Sequence, residues 1–374
     1  MRTRIAPLIA FAIFVSSAGL LPAAAQDEEG PTQAQTLTIP LQGETPEQAM
    51  QESMAASTIP LWGYSTFSNV DHKYHTGYIM GSSPSIGNGT TNIPTYIIPL
   101  ILNIGNYTFD PTKKKLCSGK QAPLTIVQKS PLFNDAPMVW GGTNLGTTQY
   151  VDASLRAEFW TAIQGLQLPW HTKFQATTLN AITVTVPPAY GTTYRTVLCG
   201  RGGVVSFSWM YPLIRSLIPQ LQSQGVGPTS FPVFLLYNVA LSAPGFTILG
   251  YHDAYGSPLQ VYAVASFDST LRFPDSPDIS ILSHELAEAS NNPTGLNYAP
   301  SWGHTGQVRG CQNNFEVGDP FTGTQNPDIY LNGYNYHPQE LAFFAWFFRS
   351  NNYGVNGWYS TNGTVLQNAG GLCR

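Results

Sequence analysis

After Pro60 the chain reads as short apolar and alternating runs bounded by Gly, Asn, Pro and Ser, the pattern of strands and turns. Strands are predicted over residues 61–67, 74–80 and 95–104, the last rich in β-branched residues. A helical period follows over 152–164, where Leu155, Phe159, Trp160 and Ile163 recur on one face. A second spans 208–222, with Met210, Ile214, Leu217, Ile218 and Leu221 as its apolar stripe. Two more strands are expected over 231–241 and 259–267, the first almost wholly apolar and so buried on both faces. Ser276, Pro277 and Asp278 then supply the signals of a helix start, and 279–291 runs without a breaker until Pro293. A last helix is predicted over 338–350, rich in Phe and Trp. These elements make a mixed, strand-rich α+β fold, a single large domain over 59–374.

The beginning of the chain is of another kind. Arg2 and Arg4 precede an apolar run over 5–21 that ends in Ala23-Ala24-Ala25, which reads as a signal peptide over 1–25. A polar leader over 26–58 follows, with one helix expected at 45–56 behind Thr45, Pro46 and Gln48. The expected location is therefore secreted or periplasmic, with no membrane span left once the signal is removed. Removing Arg2 and Arg4 from the 17 basic residues leaves 15 against 21 acidic ones, a net charge of −6. Such a chain is a poor partner for nucleic acid, which demands clustered Lys and Arg. The four cysteines suggest two disulfides in an exported chain, and of the three possible pairings Cys117–Cys199 with Cys311–Cys373 is favoured, because each bond then closes a contiguous half.

Chemistry concentrates in His284-Glu285-Leu286-Ala287-Glu288. Four residues apart on a helix, His284 and Glu288 project from one face and can meet on one ion, while Glu285 stands beside them as a candidate general base. The flanking Ile281, Leu282, Leu286 and Ala287 are apolar, so these acids are not mere surface decoration, and buried carboxylates need a counter-charge. Catalytic zinc takes three protein ligands. Glu316 is the first candidate for the third, Asp319 the second, and His304 a rival, either as ligand or as donor to an oxyanion. A carboxylate in place of the second imidazole of His-Glu-x-x-His leaves the ion less positive, which slows hydrolysis or suits calcium or manganese in place of zinc. His72, His75, His171 and His252 lack a partner at useful spacing and read as structural, and His337 as packing before the last helix. No Gly-x-Ser-x-Gly elbow, Walker loop or dinucleotide fingerprint is present.

The His-Glu-Leu-Ala-Glu helix, Asn292-Pro293 after it and Glu316-x-Gly318-Asp319 downstream resemble the plant Exordium, or phosphate-induced, protein family and related exported microbial proteins. The resemblance covers the C-terminal third. This chain departs from the family in placing Cys311 before the acidic pair and in carrying Trp302-Gly303-His304-Thr305-Gly306. What the resemblance implies is a zincin-like active-site helix and an extracellular role linked to growth or the cell wall. Together the readings give a secreted metal-dependent hydrolase, peptidase-like, with zinc on His284, Glu288 and Glu316 and a peptide or wall-associated substrate. The alternative is a non-catalytic wall or glycan-binding protein with a structural or vestigial ion.

Overall fold

The computed structural model describes residues 58–84, 89–113, 121–166, 169–196, 200–350, 353–364 and 373. Its centre is a sheet of seven strands: β1 (Gly89–Ile104), β2 (Tyr107–Phe109), β3 (Trp170–Thr178), β4 (Ile182–Val186), β5 (Phe231–Tyr237), β6 (Gly250–Tyr255) and β7 (Gln260–Phe267). β6, β7, β5 and β1 lie side by side in that order, and the long β1 also pairs with β3, β4 and β2. The pairs β7–β5, β5–β1, β1–β3 and β1–β4 are parallel; β6–β7 and β1–β2 are antiparallel.

Parallel strands need long crossovers, and the crossovers cover both faces of the sheet. That is why β5 and β7 are buried at every residue. Side chains alternate between the faces. Val233, Leu235, Ala263 and Ala265 pack in one core with Ile281, Leu282 and Leu286 of the helix Ser280–Asn291. Phe234, Leu236, Tyr262 and Val264 pack in a second core with Met210, Ile214 and Ile218 of the helix Phe207–Gln220. Numbered with Tyr150–Glu158 as α1, these helices are α2 (Phe207–Gln220) and α3 (Ser280–Asn291), one on each side of the sheet.

The strand-rich α+β character agrees with the sequence, as do the hairpin of Leu61–Phe67 with Tyr74–Met80 and the bounds of α2, β7 and α3 to within two residues. Four expectations are corrected. The strand over 231–241 breaks at Asn238, whose φ of 53° lies in the left-handed region, and Val239–Ala243 joins a separate four-stranded sheet. The helix over 152–164 divides at Phe159, because Thr161 donates its N–H to the Tyr353 carbonyl and not to the helix. The last helix shrinks to α4 (Phe344–Phe348). Glu340, Ala342 and Phe343 give their N–H groups to Thr324, Val317 and Tyr359, which stitches this stretch to neighbouring loops and leaves too few donors for helix. Finally, Ser276, Pro277 and Asp278, expected as N-cap, first-turn proline and helix-start acid, all precede α3, whose N-cap is Ile279. Asp278 takes a φ of 37°, and its carboxylate holds the Ile279 N–H and His337 Nδ1.

Cys311 and Cys373 form a disulfide. Cys117 and Cys199, the signal segment, the leader as far as residue 57 and the helix expected at 45–56 lie outside the described residues. Among the described residues no helix is long and apolar enough to cross a membrane.

Candidate metal centre

Every residue of α3 is buried, including His284, Glu285 and Glu288. One turn apart, His284 Nε2 and Glu288 Oε2 are 3.1 Å from each other. The edge strand β6 lies against α3 and brings His252 to the same place. Its Nδ1 stands 3.7 Å from Glu285 Oε2 and 3.6 Å from Glu288 Oε2, and its Nε2 stands 3.8 Å from Glu316 Oε2. Glu316 and Asp319 arrive on the segment that follows the hairpin of β8 (Tyr298–Thr305) with β9 (Val308–Asn314). Asp319 Oδ1 is 3.5 Å from His284 Nε2.

These groups form two overlapping sets, each with ligand atoms close enough to share one ion: His284, Glu288 and Asp319, and His252, Glu288 and Glu316. The structure thus divides the ligand set expected from sequence. His284 and Glu288 do meet, Asp319 joins them, and Glu316 reaches Glu288 from the side of His252. His304 stands apart from both sets, exposed on β8 with Nε2 3.7 Å from Cys311 Sγ. That sulfur is committed to a disulfide and is no ligand. His75 and His171 pair with Asp71 and Asp152 and lie outside both sets.

His252 is the residue that sequence reasoning missed. Its strand carries Gly-Tyr-His-Asp-Ala-Tyr, which lacks the aliphatic run of β5 and offers no acid at helical spacing. The usable signal was hairpin pairing with β7, which places His252 opposite Ala263, a residue of the core beneath α3. The supporting amides escaped notice as well. Asn292 and Asn314 donate to Glu316 Oε1 at 2.8 and 3.1 Å, and Gln307 and Gln312 donate to the two oxygens of Asp319. Gln339 Oε1 accepts from His284 Nδ1 at 3.2 Å. The N–H groups of Gly318 and Asp319 both donate to Glu288 Oε1, at 3.0 and 3.1 Å.

Two glycines make room for this packing. A Cβ on Gly318 would fall 2.5 Å from His284 Nδ1, and one on Gly250 would fall 2.6 Å from Glu285 Oε1, so each approach requires the missing side chain.

Burial raises the pKa of Glu285, and raises that of Glu316 well above the ordinary carboxylate range, with the charge of Glu288 adding to the effect at Glu316. At Glu288 burial pulls the same way, but attraction to His284 and His252 and its hydrogen bonds outweigh it, and the pKa falls. Burial opposes protonation of both imidazoles, yet the carboxylates prevail: His252 is raised, chiefly by Glu285 and Glu288, and His284 is raised well above its usual value, chiefly by Glu288. The carboxylates therefore favour positive charge in their midst, from the imidazoles themselves or from an ion.

The cluster also has polar atoms to spare. Among the described residues His252 Nδ1, Glu285 Oε2 and Glu316 Oε2 are buried without a hydrogen-bond partner, a costly condition unless another group satisfies them. A divalent cation fits this donor set of imidazole and carboxylate. A cavity of about 460 Å³ opens beside it, with His284 and Glu285 in its wall and Phe246, Ile248, Ile281 and Arg309 among the residues around them. Comparison with models of protein families, with curated proteins and with solved structures finds no match to this chain.

Proposed function

We propose that this chain is an exported metal-dependent hydrolase, peptidase-like, that uses α3 in the manner of a zincin, with zinc as its ion. The observation that carries the reading is the meeting of two imidazoles and three other carboxylates around Glu288, three of the cluster's atoms unpartnered, directly beside a cavity that shares His284 and Glu285. Glu288 would hold the ion, with His252 and Glu316 on one side of it and His284 and Asp319 on the other. A bound zinc supplies Lewis acidity, polarising a carbonyl and making water easier to deprotonate.

The protein's own groups supply the rest. Glu285 lies on the cavity wall and carries an unpaired oxygen, so it is the group placed to take a proton from the attacking water and to return it to the leaving amine. Burial that raises its pKa suits this task, since a base whose pKa approaches the working pH also gives the proton back readily. The surrounding wall mixes apolar Phe246 and Ile248 with the cationic Arg309, a surface suited to a chain with both backbone amides and side chains. Because carboxylates outnumber imidazoles, the ion would be well neutralised, and manganese or calcium would compete for the site more readily than in a centre built from His alone. Export accords with the basic and apolar N-terminus and with the disulfide.

The test is metal analysis of untagged, chelator-free protein together with turnover of a mixed peptide library read by mass spectrometry. One divalent ion per chain and measurable cleavage are expected. Glu285→Gln should then lower turnover at least about 100-fold while the ion stays bound. Protein that holds no stoichiometric divalent ion, or a Glu285→Gln variant of full activity, removes the mechanism.

A further inference from the structure

Resting on the reading that this cluster holds a divalent ion, we infer that the ion belongs to the deeper set, His252, Glu288 and Glu316, and that His284, the histidine of the helical motif, is not a ligand but a substrate-binding group in the cavity wall. Three independent features of the site separate the two sets.

The first is hydrogen bonding. His284 has partners at both ring nitrogens, Gln339 Oε1 at Nδ1 and Glu288 Oε2 at Nε2, and both oxygens of Asp319 hold glutamine amides. In the deeper set the carbonyl of Asn292 takes the His252 Nε2 proton at 3.1 Å, which leaves Nδ1 with its lone pair toward the carboxylates. That nitrogen and Glu316 Oε2 are unpartnered, and so is Glu285 Oε2 beside them. Holding the far nitrogen of an imidazole on a carbonyl, and the far oxygen of a carboxylate on two amides, is how proteins aim ligands at a metal. Both devices occur here, at His252 and at Glu316.

The second is spacing. Ligand atoms on tetrahedral arms of 2.0 to 2.2 Å stand about 3.4 Å apart. The 3.6 Å between His252 Nδ1 and Glu288 Oε2 is too long for a hydrogen bond and close to that edge length. His284 and Glu288, at 3.1 Å, have the separation of a directly bonded pair.

The third is access. The cavity wall includes His284 and Glu285 but not His252, Glu288 or Glu316. Glu285 joins the two compartments, since it is in the cavity wall while its Oε2 faces His252. The general base is thereby placed between ion and substrate. His284, steadied by Gln339 at Nδ1, is left on the substrate's side, and once Glu288 Oε2 serves the ion, the Nε2 N–H that now pairs with that oxygen is released to donate to the oxygen that gains negative charge as the acyl bond is attacked. No proton leaves the imidazole in this step.

Zinc content and zinc affinity, measured by competition with a chromophoric chelator, distinguish the assignments in wild type, His252→Gln, Glu316→Gln and His284→Gln, with circular dichroism to confirm folding. His252→Gln and Glu316→Gln should each weaken zinc at least about 100-fold, more than loss of an outer partner does. His284→Gln should leave affinity within about 3-fold of wild type while turnover falls about 100-fold or more, the size of a lost oxyanion donor. If His252→Gln does not fold, Glu316→Gln carries the same test. Zinc lost on His284→Gln, or retained on both His252→Gln and Glu316→Gln, overturns the inference and leaves the hydrolase reading standing. Wild type that binds no zinc, manganese or calcium removes both.

Discussion

His252 and Asp253 are neighbours on β6 that face opposite sides of one sheet, and the two sides treat buried charge in opposite ways. Asp253 points toward α2, where the hydroxyls of Tyr211 and Tyr262 donate to its Oδ2 at 2.8 and 2.9 Å and Arg215 in turn donates to Tyr211. Burial raises the Asp253 pKa, and those donors pull against it. His252 points toward α3 into a group of carboxylates, where its Nδ1 and oxygens of Glu285 and Glu316 find no donor. A buried carboxylate supplied with its own donors is a closed structural unit. One that shares its space with other carboxylates and lacks donors has a donor set that suits a cation. The contrast lies in the placement of donors, because both sites are equally removed from solvent.

The largest effect should come from breaking the closed side. Asp253→Ala strips the acceptor from two tyrosine hydroxyls, at about 1 to 3 kcal/mol for each group left unsatisfied. A loss of about 3 to 5 kcal/mol by denaturant titration is expected, with the bound ion unaffected. Loss of the ion in that variant would show that the two faces are not independent. A smaller change should follow when the open side loses its cation. Chelation should lower wild-type stability by about 3 kcal/mol at free ion about 100-fold above Kd, and ion added back should restore it. Glu316→Gln should abolish that increment while moving the stability of the ion-free protein by less than about 1 kcal/mol, since Glu316 without the ion is already held toward its neutral form. An increment that survives Glu316→Gln would place the ion elsewhere.

The same contrast explains what could be read from the sequence. Elements with strong periods were legible: the stripe of α2 and the run of β7 fall where the residues place them, because apolar period and burial are one signal. Within the site, the pair His284 and Glu288 was legible for a similar reason, as helical spacing converts directly into distance. His252 was not, because its nearness to α3 depends on how the β6–β7 edge pairs and packs, a long-range fact that no local spacing records. The aromatic stretch around Phe343 misled for the converse reason. Its composition suits a helix, but its N–H groups are claimed by Thr324, Val317 and Tyr359, partners up to about two dozen residues away. Local pattern reports local geometry, and the deeper half of this site is not local.

A third buried carboxylate lies between the two extremes and gives the smallest signal, a slope. Glu158, at the end of α1, accepts the Phe344 N–H and, among the described residues, has no cation or tyrosine donor like those around the other two acids, and burial pushes its pKa from 4.5 up to about 8. Both states hold the proton below pH 4.5. Between 4.5 and 8 the unfolded chain has released it and the folded chain has not, so rising pH favours unfolding across that window, and above 8 the slope disappears. One such group contributes at most about 1.4 kcal/mol of lost stability per pH unit. Other buried acids titrate too, so the quantity to measure is the difference between wild type and Glu158→Gln, both with saturating ion to hold the cluster on α3 fixed. Denaturant midpoints should separate steadily between pH 5 and 8 in favour of Glu158→Gln, which keeps a neutral, isosteric group in place. Parallel curves would mean that Glu158 is ionised in the folded protein, and that one backbone donor is enough to close a buried carboxylate without tyrosines or a metal.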